Sequence, residues 1–531
     1  MTRLARVLSP AEAAELIADG QTVASTGFTM TGVAEAIYRA IEARFLATGH
    51  SRDLTLVHSA GQSDRVGGMQ HWAHAGLLAR IIGSHWGLAP KMAELIAADG
   101  VACHCLPQGQ ITHLYRAIAG GQPGMASIIG LHTFIDPRLE GGRVNPRAQM
   151  ERPLVELLTI DGQESLWYRT FPINVAIFRG TTADEAGNVA MEDEPLRLET
   201  LALAQAARNS GGTVICQVKR VVKRGELPPQ TVSVPATYVD VLVVANQPHE
   251  THRQTSRWVM HPPLTGAARD REVDTRPASA SRLDERLIIG RRAALELRPD
   301  AVVNLGTGIP GDTVGPVAAE EGIADQIVFS IESGAIGGVP AGGSDFGVAE
   351  FPEAIIGHAE QFDGYNGGAV DLCYMGAGEI DQAGNVNVSK LGGRVTGCGG
   401  FIDITQPARQ VIFCATFSSG GLQVETGDGT LRIVQEGRYP KFVRRVSQVT
   451  FSAQEALRRS QPVRYVTERA VFDLTAEGLR LIEVAPGIDV EREVLARLPF
   501  RPLMANPLRR VPPEVLRIGR MGLMRERFGR H

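Results

Sequence analysis

Short β-branched runs recur along the chain, each stopping at glycine or polar residues. QTVASTGF (21–28) and LTLVHSAG (54–61) read as strands running into glycine, and GTVICQV (212–218), DVLVVAN (240–246) and VIFCATF (411–417) are short β-branched runs. That pattern fits strands buried on both faces, as in parallel sheets. Helical patterns lie between them. SPAEAAELIADG (9–20) carries Ser9 as N-cap, Pro10 at the first helical position and Gly20 near the end. APKMAELIAADG (89–100) has a proline near its start and Gly100 at its close. Strands alternating with helices predict an α/β fold of mainly parallel, open sheets.

The pattern repeats at long range. TADEAGNVAME (182–192) and EIDQAGNVNVS (379–389) share a turn and a following strand, with another apolar strand about twenty residues beyond each. DGQTVASTGF (19–28) parallels PDAVVNLGTG (299–308). Two homologous domains are expected, the first with a long insertion between its matching elements. The boundaries read as 1–255 and 286–503. Between them, 256–285 lacks periodicity and serves as linker, and 504–531 reads as a basic surface tail.

Composition narrows the function. A net charge of −4 and 5% aromatics offer neither a basic field nor stacking platforms for nucleic acid. No apolar run is long enough to span a membrane, and the first residues lack the apolar core of a secretory signal. The expected location is the cytoplasm. Six cysteines in 531 residues make no disulfide framework, and Cys103 and Cys105 read as small buried residues. His71 and His74, and the HETH run at 249–252, lack the remaining ligands of a zinc site, so no metal is expected. Glycine stands out at 59 residues, above the average share of about 7%. Such excess marks tight turns and backbone that approaches ligands.

Four stretches could carry chemistry. GTGIPG (306–311) follows the strand-like AVVNL and formally matches a dinucleotide fingerprint, with Glu332 downstream as a ribose acid. A plain strand-to-helix turn reads equally well. In IVFSIESGAIGGVPAGGSDFG (327–347), Glu332 ends an apolar run and five glycines precede Asp345. A carboxylate there faces the usual ligand crevice of an open sheet, as nucleophile, general base or structural cap. GNVNVSKLGGRVTGCGGFIDI (384–404) joins Gly397, Gly399 and Gly400 to the cations Lys390 and Arg394. LPQGQ (106–110) presents Gln108 between proline and glycine, or is simply a turn. No G-x-S-x-G or Walker sequence is present.

In their order, these motifs resemble family I coenzyme A transferases. The resemblance is nearest to single-chain acetate/propionate CoA-transferases and their 3-ketoacid relatives. It rests on ESGAIGGVPAGGSDFG, QFDGYNGGAVDL, GNVNVSKLGGRVTGCGGFIDI and TFSSGG in the second half. In the first half it rests on IGSHWGLAPK, LPQGQ, GLHTFIDPRLEGGRVN, FPINVAIFRGTTADEAGN and RNSGGTVICQV. It runs from about residue 9 to about 503. The resemblance implies two homologous CoA-transferase domains, with Glu332 as the nucleophile that forms a glutamyl-CoA thioester. It implies ping-pong transfer of CoA from a short-chain acyl-CoA to a carboxylate, with coenzyme A as substrate and no bound cofactor. It also implies that Gln108 orients the glutamate region, and that Gly27, Gly306, Gly308, Gly397, Gly399 and Gly400 line the site. Lys390 and Arg394 become candidates for the CoA phosphates, and a homo-oligomer, dimer or tetramer, is expected.

The chain departs from the family in places. Ser333 follows Glu332 where Asn is frequent, and His132 stands where Gly is usual. SAGQSDRVGGMQHW (59–72) diverges from a glycine-rich substrate segment. His58 and Ser59 stand near where ketoacid relatives carry an oxyanion-supporting Asn, so a backbone donor is expected instead. The alternatives are an acyl-CoA hydrolase using the same thioester, a non-catalytic acyl-CoA-binding protein, and a dinucleotide oxidoreductase.

Overall fold

The computed structural model describes residues 4–268 and 283–529. Two eight-stranded sheets form its framework. The first is parallel throughout. Its order is Arg6–Leu8, Val241–Val244, Thr213–Val218, Val175–Arg179, Thr22–Ser25, Leu54–His58, Leu78–Gly83, Ala102–Cys105. Four of the five runs read from the sequence lie in it, and the fifth, VIFCATF, lies in the second sheet. Val23, Val57, Ile177, Val214 and Leu242 are all in the core.

The second sheet runs Val328–Phe329, Val302–Leu305, Leu372–Gly376, Gln410–Cys414, Val463–Val466, then Ala470–Thr475, Gly478–Val484 and Leu503–Arg510. Its first five strands are parallel and repeat five strands of the first sheet in the same spatial order. Thr22–Ser25 corresponds to Val302–Leu305, Leu54–His58 to Val328–Phe329, and Val175–Arg179 to Leu372–Gly376. The insertion in the first half follows Leu54–His58. It supplies two further strands, Leu78–Gly83 and Ala102–Cys105, and a three-stranded antiparallel sheet.

The shared AGN turns explain the repeat at atomic level. Asp184 accepts the backbone N–H groups of Ala186 and Asn188, and Asp381 those of Ala383 and Asn385. Each turn's asparagine carbonyl then accepts one distant backbone N–H, from Ala236 in one half and Ala453 in the other, both at 2.9 Å.

Several boundaries differ in detail from the sequence pattern. The first helix is Pro10–Glu15, capped reciprocally by Ser9 and Glu12, and Gly20 lies beyond it. Of the expected linker, 269–282 lies outside the described residues. Before it, Trp258 stacks on His261 at 4.3 Å, and Arg257 N–H donates to Asp345 of the second half. After it, the helix Glu285–Ala294 has begun. The tail is built into the second half. Leu503–Arg510 adds an edge strand, and Val515, Leu516, Leu523 and Phe528 are buried. Its backbone is held by Arg291, which donates to the Glu514, Val515 and Arg517 carbonyls, and by Glu321, which accepts from residues 522 and 523. The arginines give the stretch its basic appearance, while irregularly spaced apolar residues among them are buried. All six cysteines are buried and free. His132 has φ +58°, a left-handed conformation that favours glycine and is shared by few other side chains.

Candidate active site

The two halves meet through a local two-fold arrangement. Val23 pairs with Leu56 and Val175, and Val303 pairs with Phe329 and Leu372. Three residues beyond Leu56 comes Ser59, and three beyond Phe329 comes Glu332. The helices Gln108–Ala119 and His358–Asn366 pack on each other, so Gln108 and His358 are counterparts at their starts. Each helix start is capped from the other half. Gln108 N–H donates to the Gly399 carbonyl at 3.0 Å, and His358 N–H to the Leu198 carbonyl at 3.1 Å. Leu198 and Gly399 share a left-handed backbone, with φ +51° and +54°. Glu199 therefore matches Gly400.

Between these corners lies a cavity of about 530 Å³. Glu332, Gln108, Gly306, Gly397, Gly399 and Gly400 line it together. Phe28, Thr29, Arg65, His85, Phe346 and Leu391 complete much of its wall. Gly397 has φ +80°, and a Cβ there would lie 2.1 Å from the Ser84 carbonyl oxygen, so the position admits only glycine. Across that contact the seam is stitched by Trp86 N–H donating to the Thr396 carbonyl at 2.7 Å. A Cβ on Gly400 would lie 3.5 Å from Glu332 Cγ, so glycine keeps the approach to the carboxyl open.

Glu332 sits just past its strand in a turn closed by Gly334 N–H donating to the Ile331 carbonyl. A buried polar group holds that turn from beneath. Gln361 donates to Ser330 Oγ and to the Ile331 carbonyl at 2.6 and 3.0 Å. Asn304 donates to the Ser330 carbonyl at 3.0 Å, and the Tyr365 hydroxyl lies 2.9 Å from Ser330 Oγ. Glu332 is 7% exposed, and its Oε2 has no hydrogen-bond partner. Burial pushes its carboxyl pKa above the ordinary value. Its own backbone N–H, the Asn304 amide and the His358 imidazole act the other way. A desolvated carboxylate with a free oxygen is a competent nucleophile.

The other expected residues lie elsewhere. Gly27 is packed against Val33 and Gln62, outside the cavity lining. Gly308 lines a neighbouring recess of about 400 Å³ with Thr307, Gly376 and Lys441. Lys390 and Arg394 stand on the short hairpin Lys390–Leu391 and Arg394–Val395, from which Leu391 and Thr396 reach the cavity. GTGIPG forms a strand-to-helix turn, with Gly306 joining Val302–Leu305 to the helical segment from Pro310. Ser59 does not face the cavity: its hydroxyl donates to Glu199 at 2.5 Å. His58 Nδ1 donates to the Ala60 carbonyl, and Gly399 N–H to the Ser84 carbonyl.

Sequence reasoning passed over Asn304, Gln361, Tyr365, Glu199 and His358. Asn304 carries the clearest signal, a polar residue inside the apolar run AVVNL. Its buried amide requires partners. Glu199 and His358 give none, because only the fold brings together residues so far apart in the chain. Among the described residues, no cluster of three or more His, Cys, Asp or Glu is placed to hold a metal. No helix among them is long and apolar enough to cross a membrane.

The coenzyme A transferase family model matches residues 7–245. Over the whole chain the likeness is stronger. The protein is 42% identical to a caffeate CoA-transferase of Acetobacterium woodii, across 95% of this chain and 96% of that one. It is 39% identical to the acetate CoA-transferase YdiF of Escherichia coli K12, across 95% and 93%. The crystal structure of the acyl-CoA transferase YdiF of E. coli O157:H7, in a thioester complex with CoA, superimposes with a TM-score of 0.90. That likeness is at 36% identity and covers 98% of this chain and 97% of the other. Two homologous open sheets, a carboxyl at the seam between them and full-length kinship all agree: the chain belongs to the coenzyme A transferase family and is a CoA-transferase.

Proposed function

We propose that the protein moves CoA from a short-chain acyl-CoA to a free carboxylate through a thioester on Glu332. The observation that carries this reading is the buried Glu332 carboxyl, which lines the cavity between the halves with one oxygen unpartnered. Glu332 attacks the thioester carbonyl and expels CoA thiolate, leaving a mixed anhydride. The thiolate attacks the Glu332 carbonyl of that anhydride, forming the glutamyl thioester and releasing the first carboxylate. An acceptor carboxylate then attacks the glutamyl thioester, and the same steps run backwards onto the new acid. At every stage one carboxyl, a substrate's or that of Glu332, carries the activated bond, so the exchange needs no external energy source. Gly399 and Gly400 leave room for the tetrahedral adducts. Leu391, Thr396 and the recess beside Gly308 and Lys441 offer a path for the pantetheine arm. Lys390 and Arg394 at its rim are the cations assigned to the phosphates. On the same reading the enzyme is cytoplasmic and works as a homodimer or homotetramer, which light scattering of the purified protein measures.

The test is covalent trapping. Incubation with acetyl-, propionyl- or butyryl-CoA, reduction with borohydride and peptide mapping should modify Glu332 alone. An unmodified Glu332 in folded protein, with every donor tried, would refute the reading. Acid release that needs an added carboxylate acceptor separates transfer from hydrolysis.

A further inference from the structure

Two separate apolar clusters face the cavity. Met375, Cys398, Phe401 and Ile404 belong to the main core and line the cavity from the second half. Phe28 belongs to a smaller cluster with Ile331, Ala335 and Val348, and Phe346, which also lines the cavity, packs on that cluster. Ile331 and Ala335 flank the turn that carries Glu332, so this second wall begins beside the carboxyl. A thioester whose acyl carbon sits at Glu332 extends two arms from that point. The proposed pantetheine path, past Leu391 and Thr396, takes the first wall. The acyl group is left with Phe28 and Phe346.

Phe346 is set in place by bonds that start at the glutamate motif. The hairpin Val339–Pro340 and Ala349–Glu350 carries its loop, and Ala341 N–H donates to the Val348 carbonyl at 2.9 Å. Ser333, the residue after Glu332, is fully buried, and its hydroxyl donates to the Gly347 carbonyl. Gly347 has φ +110°, and a Cβ there would lie 2.3 Å from Phe28 Cδ1, so glycine lets the Phe28 ring rest on the backbone. The Phe28 and Phe346 ring centroids are 5.8 Å apart, the spacing of a favourable aromatic pair. Asp345 accepts the Arg257 N–H at 3.2 Å, which ties the loop to the end of the first half. Of this loop only Gly343 and Phe346 line the cavity, so Phe346 is the one bulky group it presents there. Ser333, a departure from the family pattern, thereby fixes the backbone between the two rings.

The geometry points to Phe346 as the residue that limits the size of the acyl group: seated by the Ser333–Gly347 bond and by Phe28, it closes the acyl end of the cavity and admits short chains. This inference rests on the reading of Glu332 as nucleophile and adds the physical basis of its chain-length preference.

The experiment measures kcat/KM for thioester formation on Glu332 from acetyl-, butyryl- and hexanoyl-CoA. The wild type should favour acetyl- over hexanoyl-CoA by about tenfold or more. Phe346→Ala should raise the hexanoyl-to-acetyl ratio about 10- to 100-fold, and Phe346→Trp should lower the butyryl-to-acetyl ratio about tenfold. Ser333→Ala frees the loop and should move the hexanoyl-to-acetyl ratio in the same direction as Phe346→Ala, by about threefold. Phe346→Leu keeps the apolar packing, serves if Phe346→Ala fails to fold, and should give an intermediate ratio. A purely structural role would lower all three substrates together and leave the ratios where they are. Unchanged ratios in folded Phe346 variants, or a wild type that takes hexanoyl-CoA as readily as acetyl-CoA, would overturn the proposal. A wild type that forms no thioester with any donor would instead overturn the reading of Glu332.

Discussion

The two corners of the seam share one backbone and differ in what fills it. In the first half, Leu198 and Glu199 occupy the positions that Gly399 and Gly400 hold in the second, at nearly the same φ. Leu198 packs into a small apolar cluster with Phe28 and Ile331. Glu199 binds Ser59, the counterpart of Glu332. That corner is therefore filled and internally satisfied. In the second half, two glycines remove the side chains, a cavity opens, and Glu332 is left with a free oxygen. Duplication supplied a symmetric frame. Reactivity resides in the side chains that one half lacks.

The largest test of that contrast is to remove the proposed nucleophile. Glu332→Gln should lower transfer by about 10³-fold or more and abolish thioester trapping, with the thermal midpoint nearly unchanged. Making the open corner resemble the closed one comes next. Gly399→Leu places in the cavity the side chain that Leu198 buries opposite. The fold should survive, since leucine already adopts this backbone at position 198. The kcat/KM for acyl-CoA should fall by roughly 100-fold, mainly through KM.

Acidification separates catalysis from stability. As the proposed nucleophile Glu332 would attack only when ionised, and burial raises its pKa above the usual carboxylate value. The rate of thioester formation should therefore fall with pH through a midpoint above 4.5. His58 and His85 behave differently, because burial lowers both to about 4. The unfolded chain binds protons at these rings from about 6.5 downward, while the folded protein does so only near 4. Stability is thus lost as pH falls across that window, which a thermal midpoint series will read. The smallest expected effect lies in the closed corner. Ser59→Ala strips one donor from the buried Glu199 and should cost about 1–3 kcal/mol of stability. Transfer should slow by less than about tenfold.

Much of the frame was legible in the sequence. The apolar runs gave the sheet strands, and the two AGN turns gave the duplication, because local patterning dictates both. Glu332, Gln108, Gly399 and Gly400 were legible as motif residues, and they meet in one cavity. Lys390 and Arg394 were read as part of the same glycine-rich stretch, yet they stand on a hairpin beside the cavity. A two-residue strand turns side chains in ways that a motif cannot show. Asn304 left a trace in an otherwise apolar run. Glu199 and His358 left none, since their meaning arises only where distant segments cross. The tail was misjudged by composition. Its arginines are conspicuous, while the buried Val515, Leu516 and Phe528 are spaced too irregularly to announce a core.

The reciprocal capping of Gln108 and His358 also bears on how the molecule is made. Gly399, which accepts the Gln108 N–H, leaves the ribosome roughly 290 residues later, a delay of about 15–60 s at ordinary synthesis rates. For the later part of that interval, once Val241–Val244 has been made, the first half's parallel sheet can be complete while its Gln108 helix still begins against water. No chain that ends before Gly399 holds both helix starts in register, so on the proposed reading a nascent or proteolysed first half carries no reactive glutamate and no pocket to bring a thioester near one.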